Sequence, residues 1–168
     1  MAHKPNFFNK IAVKIAASGP GSWLFSRILH HIDPVVFRMT DGRKTLTSIL
    51  TGLPIVMLTT IGRKSGQPRT LPLLGIRDQE NAGVFALIAS NWGRQRNPAW
   101  YYNLKAHPRA TCVIDGVSGE YIAKEAEGEE YDRFWRYAEA TYPGFPVYKK
   151  RAAGRHIPIM VMTPATDA

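Results

Sequence analysis

The sequence predicts an α+β protein: a small closed barrel of about six mostly antiparallel strands, with helices at the start, middle and end of the chain. Two observations predict it. Short apolar runs recur between Gly-, Pro- or charge-rich breaks at residues 54–58, 71–76, 84–89, 109–115, 119–125 and 157–162, and most of the connections between them have the spacing of turns that join antiparallel strands. Helical periodicity appears instead at residues 6–39, 99–106 and 127–140. Neither an internal repeat nor a linker interrupts the pattern. The 168 residues therefore divide into a helical arm, 1–40, and one compact barrel unit, 41–168.

In the arm, Phe7, Phe8, Ile11 and Ile15 recur at three- and four-residue steps, with Lys10 and Lys14 on another face. Gly19-Pro20-Gly21 breaks the pattern, Ser22 can cap a second helix, and Asp33-Pro34 can start a third. Such an arm can cover its own domain or a second subunit, or lie on a membrane surface. It lacks an apolar core long enough for a signal peptide or a span, so the cytoplasm is the expected compartment, with peripheral contact at the inner face of the membrane as an option.

Two loops carry the chemistry. The first joins the opening strands: Gly62 and Gly66 permit positive φ and close backbone approach, Arg63, Lys64 and Arg69 supply charge, and Thr59, Thr60, Ser65 and Thr70 supply hydroxyls. A rigid arginine fork and a mobile lysine suit phosphate or carboxylate oxygens, so the loop reads as an anion holder; a solvated basic turn is the bland alternative. It is not a Walker loop, because Arg63 stands where glycine must precede Lys-Ser and a strand pattern containing Pro72 follows instead of a helix. The second loop, residues 90–96, ends the third strand with a glycine and two arginines. Asn97-Pro98 then reads as the cap and first turn of the middle helix. Both loops lie at strand ends and are expected to flank one cleft.

Near the end, Tyr131, Phe134, Trp135 and Ala138 form a helical stripe better suited to core packing than to a cofactor. Pro143, Gly144 and Pro146 break the pattern and are expected to form a bend that presents Tyr142 and Tyr148 to the cleft. The basic cluster Lys149, Lys150, Arg151 and Arg155 follows.

With 22 Lys+Arg against 13 Asp+Glu, the formal charge of +9 favours an anionic partner: nucleic acid, an acidic membrane or a polyanionic small molecule. Cys112 is the only cysteine, which rules out an internal disulfide, and it reads as a small buried strand residue. The five histidines lack metal-ligand spacing, and no metal site is expected.

Taken together, residues 58–70 (Leu-Thr-Thr-Ile-Gly-Arg-Lys-Ser-Gly-Gln-Pro-Arg-Thr), Ala89-Ser-Asn-Trp-Gly93, residues 97–108 (Asn-Pro-Ala-Trp-Tyr-Tyr-Asn-Leu-Lys-Ala-His-Pro) and residues 142–148 occur in an order that resembles the deazaflavin-dependent nitroreductases and quinone reductases of actinobacteria, over residues 54–162. The resemblance implies a split β-barrel of the FMN-binding type and coenzyme F420, in its reduced form F420H2, whose phosphate and glutamate tail matches a basic cleft. It implies that Arg63, Lys64 and Arg69, with Thr60, Ser65 and Pro72 around them, hold the phosphate. Ser90, Asn91, Trp92 and Gly93, with Ala99, Trp100 and Asn103, line the ring. Tyr142 and Tyr148 stand at the acceptor side, and Phe145 replaces a third tyrosine, which removes one donor and weakens the case for nitroimidazole-type substrates.

The expected function is hydride transfer from F420H2 to a hydrophobic conjugated acceptor (a quinone, an enone or other activated alkene, or a nitro compound) by a monomer or homodimer. An FMN-dependent split-barrel oxidoreductase is the alternative. A basic nucleic-acid-binding module is a third reading, since rings interleaved with arginine can stack bases, but the standard recognition motifs are missing and no nucleic-acid partner is expected.

Overall fold

The structure, a computed structural model, describes residues 52–165. The N-terminal arm and most of the polar connection after it lie outside the described residues. Strands β1 (Ile55–Ile61), β2 (Pro68–Arg77), β3 (Phe85–Ile88), β4 (Arg109–Ile114), β5 (Val117–Glu125) and β6 (Ile159–Pro164) close a barrel in the order β1-β2-β3-β6-β5-β4, and every pairing is antiparallel. Helix α1 (Ala99–Ala106) lies between β3 and β4. Helices α2 (Gly128–Thr141) and α3 (Gly144–Arg151) lie between β5 and β6.

Alternation along the strands sorts the apolar residues into two cores. Val56, Leu58, Phe85, Leu87, Ala110, Cys112, Met160 and Met162 face inward and pack with Trp100 and Leu104 of α1, one helical turn apart, which fill the barrel. The residues between them, Ala86, Ile88, Ile159 and Val161, face outward against Phe134, Trp135 and Ala138 of α2 and Phe145 and Tyr148 of α3. The apolar stripe expected in α2 is thus a core face.

Two expectations needed correction. The opening hairpin is longer and its turn tighter than the apolar runs suggested: Ile61 pairs with Pro68, leaving only residues 62–67 as the turn. Strand β2 tolerates Pro68 and Pro72 because β3 reaches it only at Gly75, Ile76 and Arg77, so the first half of β2 has one neighbouring strand and can lack N–H donors on its open side. The hairpin tip accordingly projects past the rest of the barrel. The second correction concerns residues 142–148, which continue into α3 instead of forming an open bend. Pro143 and Pro146 sit at the cap and in the first turn, where backbone N–H groups have no intrahelical partner, and Lys149, Lys150 and Arg151 complement the helix C-terminus.

Candidate active site

The tip of the β1–β2 hairpin is closed by its own backbone. Gly62 N–H donates to Gln67 O (2.9 Å), and Ser65 and Gly66 N–H both donate to Gly62 O (3.2 and 2.7 Å). Gly66 has φ +65°, which favours glycine there, and Gly62 is tightly enclosed: a Cβ would lie 2.7 Å from Ser65 Oγ, which can rotate away, and 3.2 Å from Gln67 O. Arg63, Lys64, Ser65 and Arg69 are exposed. None of the three cations takes part in the ion pairs of the described residues, which leaves their charge available to a ligand. The Arg63 guanidinium lies 5.0 Å from the centre of the Tyr102 ring on α1.

Thr60 and Asn103 stand beneath this turn, not on its surface. Both are buried, and Asn103 Nδ2 donates to Thr60 Oγ1 (3.0 Å) while its Oδ1 accepts the backbone N–H of Arg63 (3.1 Å). Pro72 is half-buried within β2, opposite Met57.

After β3 the chain enters a loop with an unusual backbone. Asn91, Trp92 and Gly93 all have positive φ (47°, 59° and 77°). Asn91 Nδ2 ties the loop to Arg96 O (2.7 Å), and Gly93 N–H donates to Ser90 O (2.9 Å). Non-glycine residues in this region are uncommon and cluster at functional sites. Gly93 is pressed against α3, where a Cβ would lie 2.6 Å from Arg151 Cβ and 2.9 Å from Tyr148 O. Trp92 meets the Tyr148 ring edge-on, 5.8 Å between centroids. Ala99 is exposed at the start of α1, whereas Trp100 is 5% exposed and belongs to the barrel interior, so its indole does not face a cleft.

Both loops are thus attached to α1, the first by hydrogen bonds and the second by the chain itself. Asn103 holds the first, Asn97 leads from the second into the helix, and Tyr102 lies beside Arg63. Tyr142 and Tyr148 take a different place from the one expected. Both are buried, and their hydroxyls hydrogen-bond to each other at 2.9 Å. Burial pushes both phenols above the ordinary tyrosine range. They reach the second loop through Trp92. Two residues join the site that their sequence neighbourhood does not single out: Tyr102, within residues 97–108, and Arg155, within the basic cluster. Arg155 donates to Ser90 O and Arg94 O from more than sixty positions away, a pairing that no spacing rule reveals.

Among the described residues no group of three His, Cys, Asp or Glu could hold a metal ion, and no helix is long and apolar enough to cross a membrane. The exposed cations, the glycine turn and the open side of α1 fit a ligand with an anionic tail and a flat head.

Comparison with known proteins identifies relatives. Residues 31–164 match the family described as F420H(2)-dependent quinone reductase. An F420H(2)-dependent quinone reductase of Mycobacterium tuberculosis (strain H37Rv) is 31% identical over 139 residues, covering 80% of this chain and 89% of that protein. A solved F420-H2 dependent reductase is 34% identical with a TM-score of 0.59, covering 66% of this chain and 94% of its own. A solved domain-swapped dimer is 30% identical with a TM-score of 0.61, covering 86% of this chain and 100% of its own.

Proposed function

Because the chain belongs to the family of F420H(2)-dependent quinone reductases, a split-barrel family of deazaflavin oxidoreductases, we propose that it reduces a quinone or a similarly conjugated, hydrophobic acceptor at the face of α1 between the two loops. The family membership supports F420 over FMN as the cofactor. The observation that carries the site is the attachment of both loops to one short helix, so that one elongated ligand can reach the exposed cations with its tail and the Asn91–Gly93 turn with its ring.

Arg63, Lys64 and Arg69 bind the phosphate and carboxylates of the tail, with Ser65 and the turn's backbone at their side. Asn103 and Thr60 fix the height of that turn from below. Ser90, Asn91, Trp92, Gly93 and Ala99 orient the ring. When bound, the reduced deazaflavin supplies a hydride, and a quinone that receives it together with a proton leaves as the hydroquinone. Tyr142 and Tyr148 stay protonated at neutral pH, so as a bonded pair they can donate a hydrogen bond toward an acceptor oxygen or hold Trp92 in place. Phe145, packed edge-on against both rings, keeps this side apolar. A panel of quinones, enones and nitroaromatics, with F420H2 oxidation followed optically, tests the acceptor class; turnover confined to nitroaromatics would contradict the proposal.

We place the enzyme in the cytoplasm, with the N-terminal arm touching the inner membrane face or covering the acceptor side. The apolar face and lysines of residues 7–15 support this reading. Sedimentation with anionic vesicles, comparing the full chain with one starting at Thr40, tests it; equal, negligible binding would remove the membrane role.

A further inference from the structure

We propose that Arg155 is a positioning residue: its guanidinium clamps the residue 90–97 loop into the shape that receives the deazaflavin ring. The inference rests on reading that loop as the ring site, and it assigns the loop's shape to a side chain outside the loop.

The guanidinium is spent almost wholly on carbonyl oxygens. Nε donates to Arg94 O (3.0 Å), and one terminal nitrogen donates to Ser90 O (2.9 Å). The other donates to His156 O (3.2 Å), to Ala89 O at a longer 3.5 Å, and to Asn97 Oδ1. Apart from His156 O, which belongs to the neighbouring residue, these acceptors lie at the entry of the loop (Ala89, Ser90), at its far side (Arg94) and at Asn97, two residues before α1 begins. One planar group therefore fixes both ends of the segment and its junction with the helix. None of the ion pairs among the described residues includes Arg155, so a carboxylate does not account for its placement.

Between the clamped ends lie Asn91 and Trp92, both left-handed although neither is glycine. Such a backbone persists only where its surroundings over-determine it. Other ties exist: Gly93 packs against Tyr148 and Arg151, Gln95 Nε2 donates to Arg151 O (3.3 Å) and Ala89 N–H to Pro158 O (2.8 Å), but each holds one point, whereas Arg155 spans the two sides of the loop. Lysine cannot substitute here: an ammonium on a flexible stem keeps the charge and loses the fixed fork that spans acceptors on both sides of the loop.

The test uses the full-length protein and the variants Arg155→Lys and Arg155→Ala, with two readouts. The first is amide hydrogen exchange of the protein without cofactor. The second is the F420 dissociation constant from fluorescence titration. The clamp predicts exchange at residues 91–96 faster by about tenfold or more in Arg155→Lys, amides of β1 and β4 unchanged, and F420 affinity lower by about tenfold or more. Millimolar guanidinium, but not urea, should restore part of the affinity of Arg155→Ala. Unchanged loop exchange would overturn the proposal. So would faster loop exchange with F420 affinity within about twofold of the parent, or a uniform rise in exchange across the barrel, which marks a role in stability alone. If the parent protein itself failed to bind F420, the proposed function would fall instead, and the exchange data would judge the clamp by themselves.

Discussion

Asn103 and Thr60 hydrogen-bond inside the barrel, Nδ2 to Oγ1 at 3.0 Å, and the same carboxamide accepts the Arg63 backbone N–H at 3.1 Å. A buried polar pair thus supports the exposed turn that carries the charge. Asn103→Ala deletes both bonds in one step and leaves the Thr60 hydroxyl and the Arg63 N–H without that partner. The expected cost is about 1–3 kcal/mol, read as a lower denaturant midpoint at constant slope, together with weaker F420 binding. Unchanged affinity in a destabilised but folded variant would show that the turn keeps its shape unaided.

Arg63→Ala and Arg69→Ala each remove one cation from the tail site. Each should weaken F420 binding by about 1.5–3 kcal/mol, the range for a hydrogen bond to a charged group. The rate at saturating cofactor should change far less, since the tail lies away from the reacting carbon. A fall in rate with no change in affinity would contradict these assignments.

Gly93→Ala tests the ring loop from the side of α3. The new Cβ would meet Arg151 Cβ at 2.6 Å and Tyr148 O at 2.9 Å, at a φ of +77°. Backbone must move, so F420 affinity should fall about tenfold or more while the barrel's thermal transition shifts only modestly. Parent-like affinity would separate the loop from the ring site.

Much of this fold is legible in the sequence. Six apolar runs, most of them joined by short turns, predict the barrel, and His107 caps the end of α1 as expected; at the start Pro98, not Asn97, is the cap and makes no side-chain bond, because the Asn97 side chain accepts from Arg155 instead. Pro72 hid the length of β2, since only the missing neighbour strand explains why a proline is tolerated there. Residues 142–148 were misjudged because two prolines in a row of four suggest a bend unless the register places them in a helix's first turn. At the site, the cations and glycines of residues 62–69 declare themselves by type. The inward turn of Trp100 and the mutual bond of Tyr142 and Tyr148 depend on which face packs. The reach of Arg155 is a tertiary fact with no local trace.

The tyrosine pair gives a fourth prediction. Tyr142→Phe and Tyr148→Phe keep most of the buried area, and each removes one hydroxyl from the 2.9 Å bond, for a stability loss of about 1 kcal/mol. A donor role requires that at least one variant lose about tenfold or more in turnover with F420 affinity intact. Full activity of the double variant across quinone and enone acceptors would reduce both rings to packing.

Cys112 provides a pH test of the barrel core. Burial, with a smaller contribution from Glu120, pushes its thiol from the usual 9.0 up to about 12. In the unfolded chain the thiol ionises first, so its contribution to stability is complete below pH 9 and is lost as pH rises toward 12. Cys112→Ala should flatten the stability profile across that window, and a thiol reagent at pH 8 should label the parent only after denaturation. Rapid labelling of the native protein would show that the barrel interior is open.

The most direct measurement is a parallel titration of the purified protein and its Arg63→Ala variant with F420 and with FMN. The expected result is saturable F420 binding that the variant weakens by about tenfold or more, and little FMN binding by either protein. Tight FMN binding without F420 binding, or F420 binding indifferent to Arg63, would contradict it.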